Sequence, residues 1–445
     1  MAERIKKKKR LTSFQIIILG FVGVILLGAL ILMLPVSAHS GSFTPFHQAL
    51  FTATSAVCVT GLVVQDTATY WSGFGQAIIL ILIQIGGLGV ITMAISVVRL
   101  SGKKLSFSQR STMQSSISAP SIGGIIDLTS FVIKGTAIIE AAGAAALMPV
   151  FIKDHGLKGI WMAVFHSVSA FCNAGFDLMG RPDSKFASMT SYLGHPYVNI
   201  ILMLLITVGG IGFLTWKDIV THKFRIRRYR MQSKVILVTS ALLIVFPAVI
   251  FFFFDFAHMP MNERIIGSLF QSVTTRTAGF NTADLTGLTL VGQAIFIFLM
   301  LIGGSPGSTA GGMKTTTIAV LFGNIIATFR RKEDPEFFGR RIASGVVKTA
   351  ATILMMYLLL CFGSAAVIST AEGLPLSVCL FETASAVGTV GLTLGITPRL
   401  GVLSQLILIV LMFLGRVGGL TVIYAAISGA DRKLSKLPQE NITVG

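Results

Sequence analysis

The chain has 445 residues, of which 53% are hydrophobic and 12% charged, with a mean hydropathy of +0.80. That balance excludes both a soluble multidomain enzyme and a disordered chain. Lys and Arg number 36 against 18 acids, for a formal net charge of +18, which taken alone would suit nucleic-acid binding. The placement of the cations argues against nucleic acid. The first basic block, Lys6-Lys7-Lys8-Lys9-Arg10, precedes an uncharged run over 14–34, long enough to cross a bilayer core. A signal peptide is disfavoured: the run outlasts an h-region, ends at Leu34-Pro35 without a small-residue cleavage site, and is followed by more spans.

Further apolar runs fall at 75–98, 128–152, 198–214, 235–254, 288–328 with a polar break, 346–370 and 402–427, so eight transmembrane helices are predicted. Basic segments at 99–110, 217–234 and 330–341, together with the two ends of the chain, hold 25 of the 36 cations. The other connections are cation-poor. By the positive-inside rule the basic segments and both termini are cytoplasmic, so the chain is a multi-pass cell-membrane protein whose four span pairs share one orientation. Repeats running parallel are related by an axis along the membrane normal. The units are 1–110, 111–225, 226–335 with a broken second span, and 336–445.

Between the spans of each pair lies a segment too short and polar to cross. The four run from Phe51 to Gly61-Leu62, Phe165 to Gly175-Phe176, Phe270 to Gly279-Phe280 and Phe381 to Gly391-Leu392. Phe and Gly are ten residues apart in three of them and nine in the third, and the glycines are separated by 114, 104 and 112 residues. Irregular backbone at membrane depth survives only where protein buries it or water lines it. Glycine tolerates positive φ, which lets carbonyls turn toward an axis and replace a cation's lost water. A short helix ending there aims its negative end inward. An ion selectivity filter is therefore expected from Val59, Thr60 and Gly61; Asn173, Ala174 and Gly175; Thr277, Ala278 and Gly279; and Thr389, Val390 and Gly391. The fourth string, Thr389-Val390-Gly391, is similar to the Thr-Val-Gly-Tyr-Gly filter of potassium channels, a resemblance that implies K+ at Gly61, Gly175, Gly279 and Gly391.

On these repeats, on Thr275-Arg276-Thr277-Ala278-Gly279-Phe280-Asn281-Thr282 and on the glycine-rich stretch from Gly303 to Thr315, the chain resembles the Trk/Ktr/HKT superfamily of potassium transporters, most of all the Ktr membrane subunit. The resemblance implies an all-α membrane protein with four span–pore loop–span repeats around a potassium-conducting pore. It also implies a homodimer on a cytosolic ring of nucleotide-binding regulatory subunits, and a gate formed by the broken sixth span. Carried over, the gate comprises Gly303, Gly304, Ser305, Pro306, Gly307, Ser308, Thr309, Ala310, Gly311, Gly312 and Lys314. The first and second filter strings depart from the fourth, so the four walls are chemically unequal.

The same stretch is no phosphate loop, because Met313 separates Gly312 from Lys314 and no strand precedes it. Arg416 interrupts the eighth span; it either joins the gate in the inner pore, opposing cation passage, or snorkels to the cytoplasmic edge. Arg276 is expected to brace the filter from behind, with Glu382 as its acidic partner. Gly86-Gly87, Gly209-Gly210, Gly303-Gly304 and Gly418-Gly419 are read as close helix-packing pairs. Lys134, Glu140 and Lys348 are taken as paired or interfacial, without a transport role.

Cys58, Cys172, Cys361 and Cys379 have neither disulfide nor zinc spacing, and the seven histidines form no ligand pair. The function expected is potassium uptake driven by the membrane potential, with Na+ a candidate activator or symported ion, no cofactor on this chain, membrane lipid around it, no nucleic acid and no enzymatic activity. The alternative is a secondary cation-coupled solute transporter, which predicts inverted repeats.

Overall fold

The computed structural model describes residues 12–90, 92–94, 110–114, 124–418, 421 and 440. The basic block 6–10, nearly all of the segment 99–110, the end of the second predicted span, Gly419 and the cations after Asp431 lie outside the described residues. What is described is almost wholly helical, as apolar runs without β-alternation require.

Among the described residues, four helices are long and apolar enough to cross a membrane: α1 (Ser13–Leu32), α4 (Ile125–His155), α8 (Met231–Phe253) and α12 (Ser344–Glu372). α1 starts from a capping box, with Gln15 N–H donating to Thr12 Oγ1 and Thr12 N–H to Gln15 Oε1. After each long helix comes a short one: α2 (Phe46–Val57), α5 (Lys158–Phe171), α9 (Met261–Thr274) and α13 (Leu376–Gly388). A second apolar helix then follows: α3 (Gly73–Leu88), α6 (Pro196–Gly210), α10 (Leu290–Leu301) and α14 (Val402–Val417). α6 continues into α7 (Phe213–His222) through a 101° bend, and the two count as one broken span. After α10 the chain is non-helical until α11 (Thr315–Phe329).

The second helices are therefore shorter than the predicted spans, and glycine is the reason. α3, α6 and α14 each end before a glycine with φ between 86° and 90°, namely Gly89, Gly212 and Gly418. Three residues earlier stand Gly86, Gly209 and Gly415. A Cβ on any of these would fall on the carbonyl of Val57, Phe171 or Val387, the end of the short helix beside it. In the fourth unit Gly415 admits the close approach and Gly418 carries the positive φ; Gly419, the other half of the expected pair, lies outside the described residues. In the third unit Met300 and Gly303 hold the equivalent places, and there the carbonyl of Met300 packs against Gly388.

In the first, second and fourth units the short helix packs between the long and the second helix of its own unit; in the third, α9 packs on α8 and on α6 of the preceding unit. Between units, α3 packs on α5, α6 on α9, α10 on α13 and α14 on α2, so the contacts close a cycle. Polar groups tie the end of each of the last two long helices to the start of its unit's second helix: Asp255 Oδ1 accepts from Thr289 N–H at 3.1 Å, and Glu372 Oε1 accepts from Gly401 N–H at 2.8 Å.

The sequence reading contained no strands, yet a two-residue hairpin pairs Glu336–Phe337 with Arg340–Arg341. Phe338 and Gly339 both have positive φ at its turn, the requirement of a type I′ hairpin. Phe337 seats against Gly323 of α11.

Candidate functional site

The chain leaves each short helix directly into one predicted filter string, and all four strings adopt the same unusual backbone. Gly61, Gly175, Gly279 and Gly391 have φ between 69° and 93°, and two residues before each, Val59, Asn173, Thr277 and Thr389 have φ of 51°, 57°, 67° and 53°. Left-handed conformations at alternate positions turn successive carbonyls toward the same side, which a regular strand does not do. A non-glycine residue pays about 1 kcal/mol or more for that geometry, so the surroundings must enforce it. In the first and fourth strings Gly61 and Gly391 N–H donate to Ser55 and Ser385 Oγ at 3.1 and 3.0 Å. In the second and third, Ser169 and Thr274 hydroxyls donate to the carbonyls of Phe176 and Phe280. The third string is one residue shorter, and its turn shows where the residue is missing. Thr60, Ala174 and Val390 N–H reach five residues back, whereas Ala278 N–H reaches four back to Thr274. Thr277 and Gly279 stay in register all the same.

The four strings meet in chain order. A Cβ on Gly61 would sit 2.6 Å from Ala174 O, one on Gly175 would sit 2.7 Å from Ala278 O, and on Gly279 and Gly391 it would overlap Val390 O and Thr60 O. Each glycine thus abuts the carbonyl preceding the next string's glycine, and the fourth returns to the first. The hydroxyls of Thr60, Thr277 and Thr389 are buried and have no hydrogen-bond partner. Buried oxygens without donors around one axis are what a dehydrated cation needs.

On one side of the strings all four glycines line a cavity of about 230 Å³, together with Asp66, Asp177 and Asp284 and with no Lys or Arg among its described lining. Asp66 is occupied structurally, accepting from Phe186 and Thr69 N–H. Removal from water lifts the Asp177 carboxyl to about 7; the Met179 amide opposes the rise and the Asp66 charge adds to it.

On the opposite side, the stretch from Gly303 to Lys314 crosses beneath the strings. Gly303 N–H donates to Met313 O at 2.7 Å, closing the loop on itself. Ser305 N–H donates to Gly210 O at 2.9 Å, and Phe213 N–H to Gly307 O at 2.7 Å, with Pro306 O against Gly212. Ser308 Oγ donates to Ser305 O at 2.7 Å. Thr309 Oγ1 donates to Phe171 O and to Asn173 Oδ1 at 3.0 and 3.1 Å. Ala310 packs against Gly304; Gly311 abuts Thr389, and Gly312 N–H donates to Gly415 O at 3.2 Å. Lys314 Nζ donates to Ala310 O at 2.8 Å and Gly311 O at 3.2 Å. The loop therefore touches the second and fourth strings directly.

Arg416 is at the loop rather than snorkelling away from it. Its Nη1 donates to Thr309 O and its Nη2 to Gly86 O and Gly87 O at 2.6 and 3.1 Å. Arg416 and Lys314 together line a cavity of about 180 Å³ under the strings, and no acid is among its described lining.

The expected Arg276–Glu382 pair does not form. Glu382 is fully buried and accepts from the hydroxyls of Thr393, at 2.8 Å, and Thr397. Both donors follow Gly391 in the same unit, so local geometry satisfies the carboxylate before Arg276, in another unit, could reach it. Glu140 is likewise met by Gln84 Nε2 at 3.2 Å and Cys172 rather than by Lys134. The sequence reading missed the left-handed residues two before each glycine; the Ser or Thr five or six residues upstream of each glycine was the available signal.

The TrkH family, described as a cation transport protein, matches residues 4–436. Two relatives match along nearly their whole length. "Potassium/sodium uptake protein NtpJ" of Enterococcus hirae is 40% identical over 98% of each chain, and "Ktr system potassium uptake protein B" of Bacillus subtilis is 36% identical over 95% of each. The crystal structure of the potassium transporter TrkH from Vibrio parahaemolyticus shares the fold, with a TM-score of 0.71 at 19% identity, covering 95% of this chain and 86% of that one. Ring-forming strings between apolar helices, and a family match over almost the whole sequence, lead to one conclusion: the chain belongs to the TrkH cation-transport family, as a membrane subunit of the Trk/Ktr superfamily, and is a transporter rather than an enzyme.

Proposed function

We propose that this chain takes up potassium through a gated filter pore built from eight spans, arranged as four parallel span–loop–span repeats with both termini cytoplasmic. The observation that carries the proposal is the cyclic contact of Gly61, Gly175, Gly279 and Gly391 with the carbonyls of Ala174, Ala278, Val390 and Thr60. Four backbone strings closed into a ring, with the unbonded hydroxyls of Thr60, Thr277 and Thr389, replace the hydration shell of a monovalent cation. The relatives named for potassium or potassium/sodium uptake support potassium as the ion and keep sodium as an activating or co-transported ion.

The membrane potential, interior negative, supplies about 2.3 kcal/mol per 100 mV for each cation moved inward. That is enough for roughly fiftyfold accumulation, so no ATPase chemistry is needed on this chain. Below the filter the loop over Gly303–Lys314 and the Arg416 guanidinium obstruct the path, and opening requires their contacts with the second and fourth strings to break. A cytosolic nucleotide-binding ring acting on a homodimer is the partner arrangement consistent with the Ktr-type relatives. The positive segments 217–234 and 330–341 supply a cytoplasmic surface for it.

Complementation of a potassium-uptake-deficient bacterium, with and without sodium, and rubidium-tracer uptake into reconstituted vesicles test the reading. Growth at low potassium and potential-driven rubidium entry are expected. Vesicles that stay impermeable to rubidium with the cytosolic companion present would overturn it.

A further inference from the structure

Arg276 follows the last turn of α9 and is 7% exposed, yet among the described residues it has no carboxylate within ion-pair distance. Its Nε and Nη1 also lack any hydrogen-bond partner. The C-terminal end of α9 offers a fraction of a negative charge, which leaves a buried guanidinium largely uncompensated, a costly arrangement. Arg276 borders a cavity of about 20 Å³ between α6, α8 and α9, lined also by Thr207, Gly210, Ser240 and Val273. Ser240 is 6% exposed, and its hydroxyl is likewise without a partner. Two nine-tenths-buried donors thus border one small cavity, and no acceptor there answers them. The volume holds one water-sized particle; sulfate and phosphate are too large.

We infer that this cavity binds a single halide ion, chloride under ordinary conditions, as the counter-ion of Arg276, with the Ser240 hydroxyl as a second donor. The ion neutralises the charge behind the third string and fixes a residue whose carbonyl accepts from Asn173 Nδ2 at 3.2 Å, so it steadies the junction of the second and third strings. The site is structural, and it stands whether or not the strings conduct potassium.

The test uses the full-length protein in detergent or lipid nanodiscs, unfolded thermally at constant ionic strength while gluconate is replaced by chloride, bromide or sulfate. Chloride and bromide should raise the melting temperature saturably and sulfate should not. S240A should weaken the apparent chloride affinity about tenfold, and R276M should abolish the dependence. Crystals grown in bromide should show an anomalous peak beside Arg276. A melting temperature indifferent to chloride, an equal response in S240A and the parent, or ordered water without a bromide peak would overturn the inference. If R276M does not fold, the S240A titration and the bromide peak decide the matter.

Discussion

Arg416 Nη2 lies 2.6 Å from the carbonyl of Gly86, while Nη1 of the same guanidinium donates to Thr309. One side chain in the last described helix thereby links the end of α3 to the loop that breaks the third unit. A guanidinium lining the cavity under the strings repels a passing cation, the more so at low effective dielectric. R416Q therefore removes both a tether and an electrostatic barrier. Basal rubidium flux should rise about tenfold in vesicles lacking any regulatory partner; an unchanged or lower flux in a folded variant would refute the gating role.

Gly391 has φ of +93°, and a Cβ there would overlap Thr60 O. G391S must move the backbone of two strings at once, so rubidium uptake should fall at least tenfold, or the preference for potassium over sodium should drop by a similar factor. Parental flux and selectivity in G391S would remove Gly391 from the conducting ring.

Asp177 lines the cavity on the side of the strings away from Arg416, external in the proposed orientation, with its carboxyl lifted to about 7 by removal from water. Its neutral form dominates below that pH and its charged form above. As external pH rises from 6 to 8 the cavity gains negative charge and draws in more cations, so uptake at subsaturating potassium should increase by roughly twofold. D177N should flatten that rise. The same pH dependence in D177N would assign it to another group.

Since Glu382 is satisfied by Thr393 and Thr397, and Arg276 makes no ion pair with it, R276Q and E382Q act on separate networks. E382Q should cost about 1–3 kcal/mol of stability by orphaning a threonine donor. In the double variant the losses should add to within about 0.5 kcal/mol by thermal or denaturant unfolding. A coupling energy above about 1 kcal/mol would restore the ion pair expected from sequence.

The sequence alone determined the membrane class, the four strings and the break within the sixth apolar run, because hydropathy, charge placement and glycine spacing are local properties of the chain. Even the nine-residue third string was legible, though not that the missing residue comes out of the turn while Thr277 and Gly279 keep register. The tertiary structure decided which groups meet. Nothing in the spacing says that Gly61 lies against Ala174 or Gly391 against Thr60, and that cycle is what turns four turns into a ring. It also set Gly415 against the Val387 carbonyl, gave Glu382 to its own unit's threonines and left Arg276 without a partner. A buried charge takes the donors or acceptors that packing brings within about 3 Å, and convergence of residues more than a hundred positions apart is a property of the assembled helices rather than of any one segment.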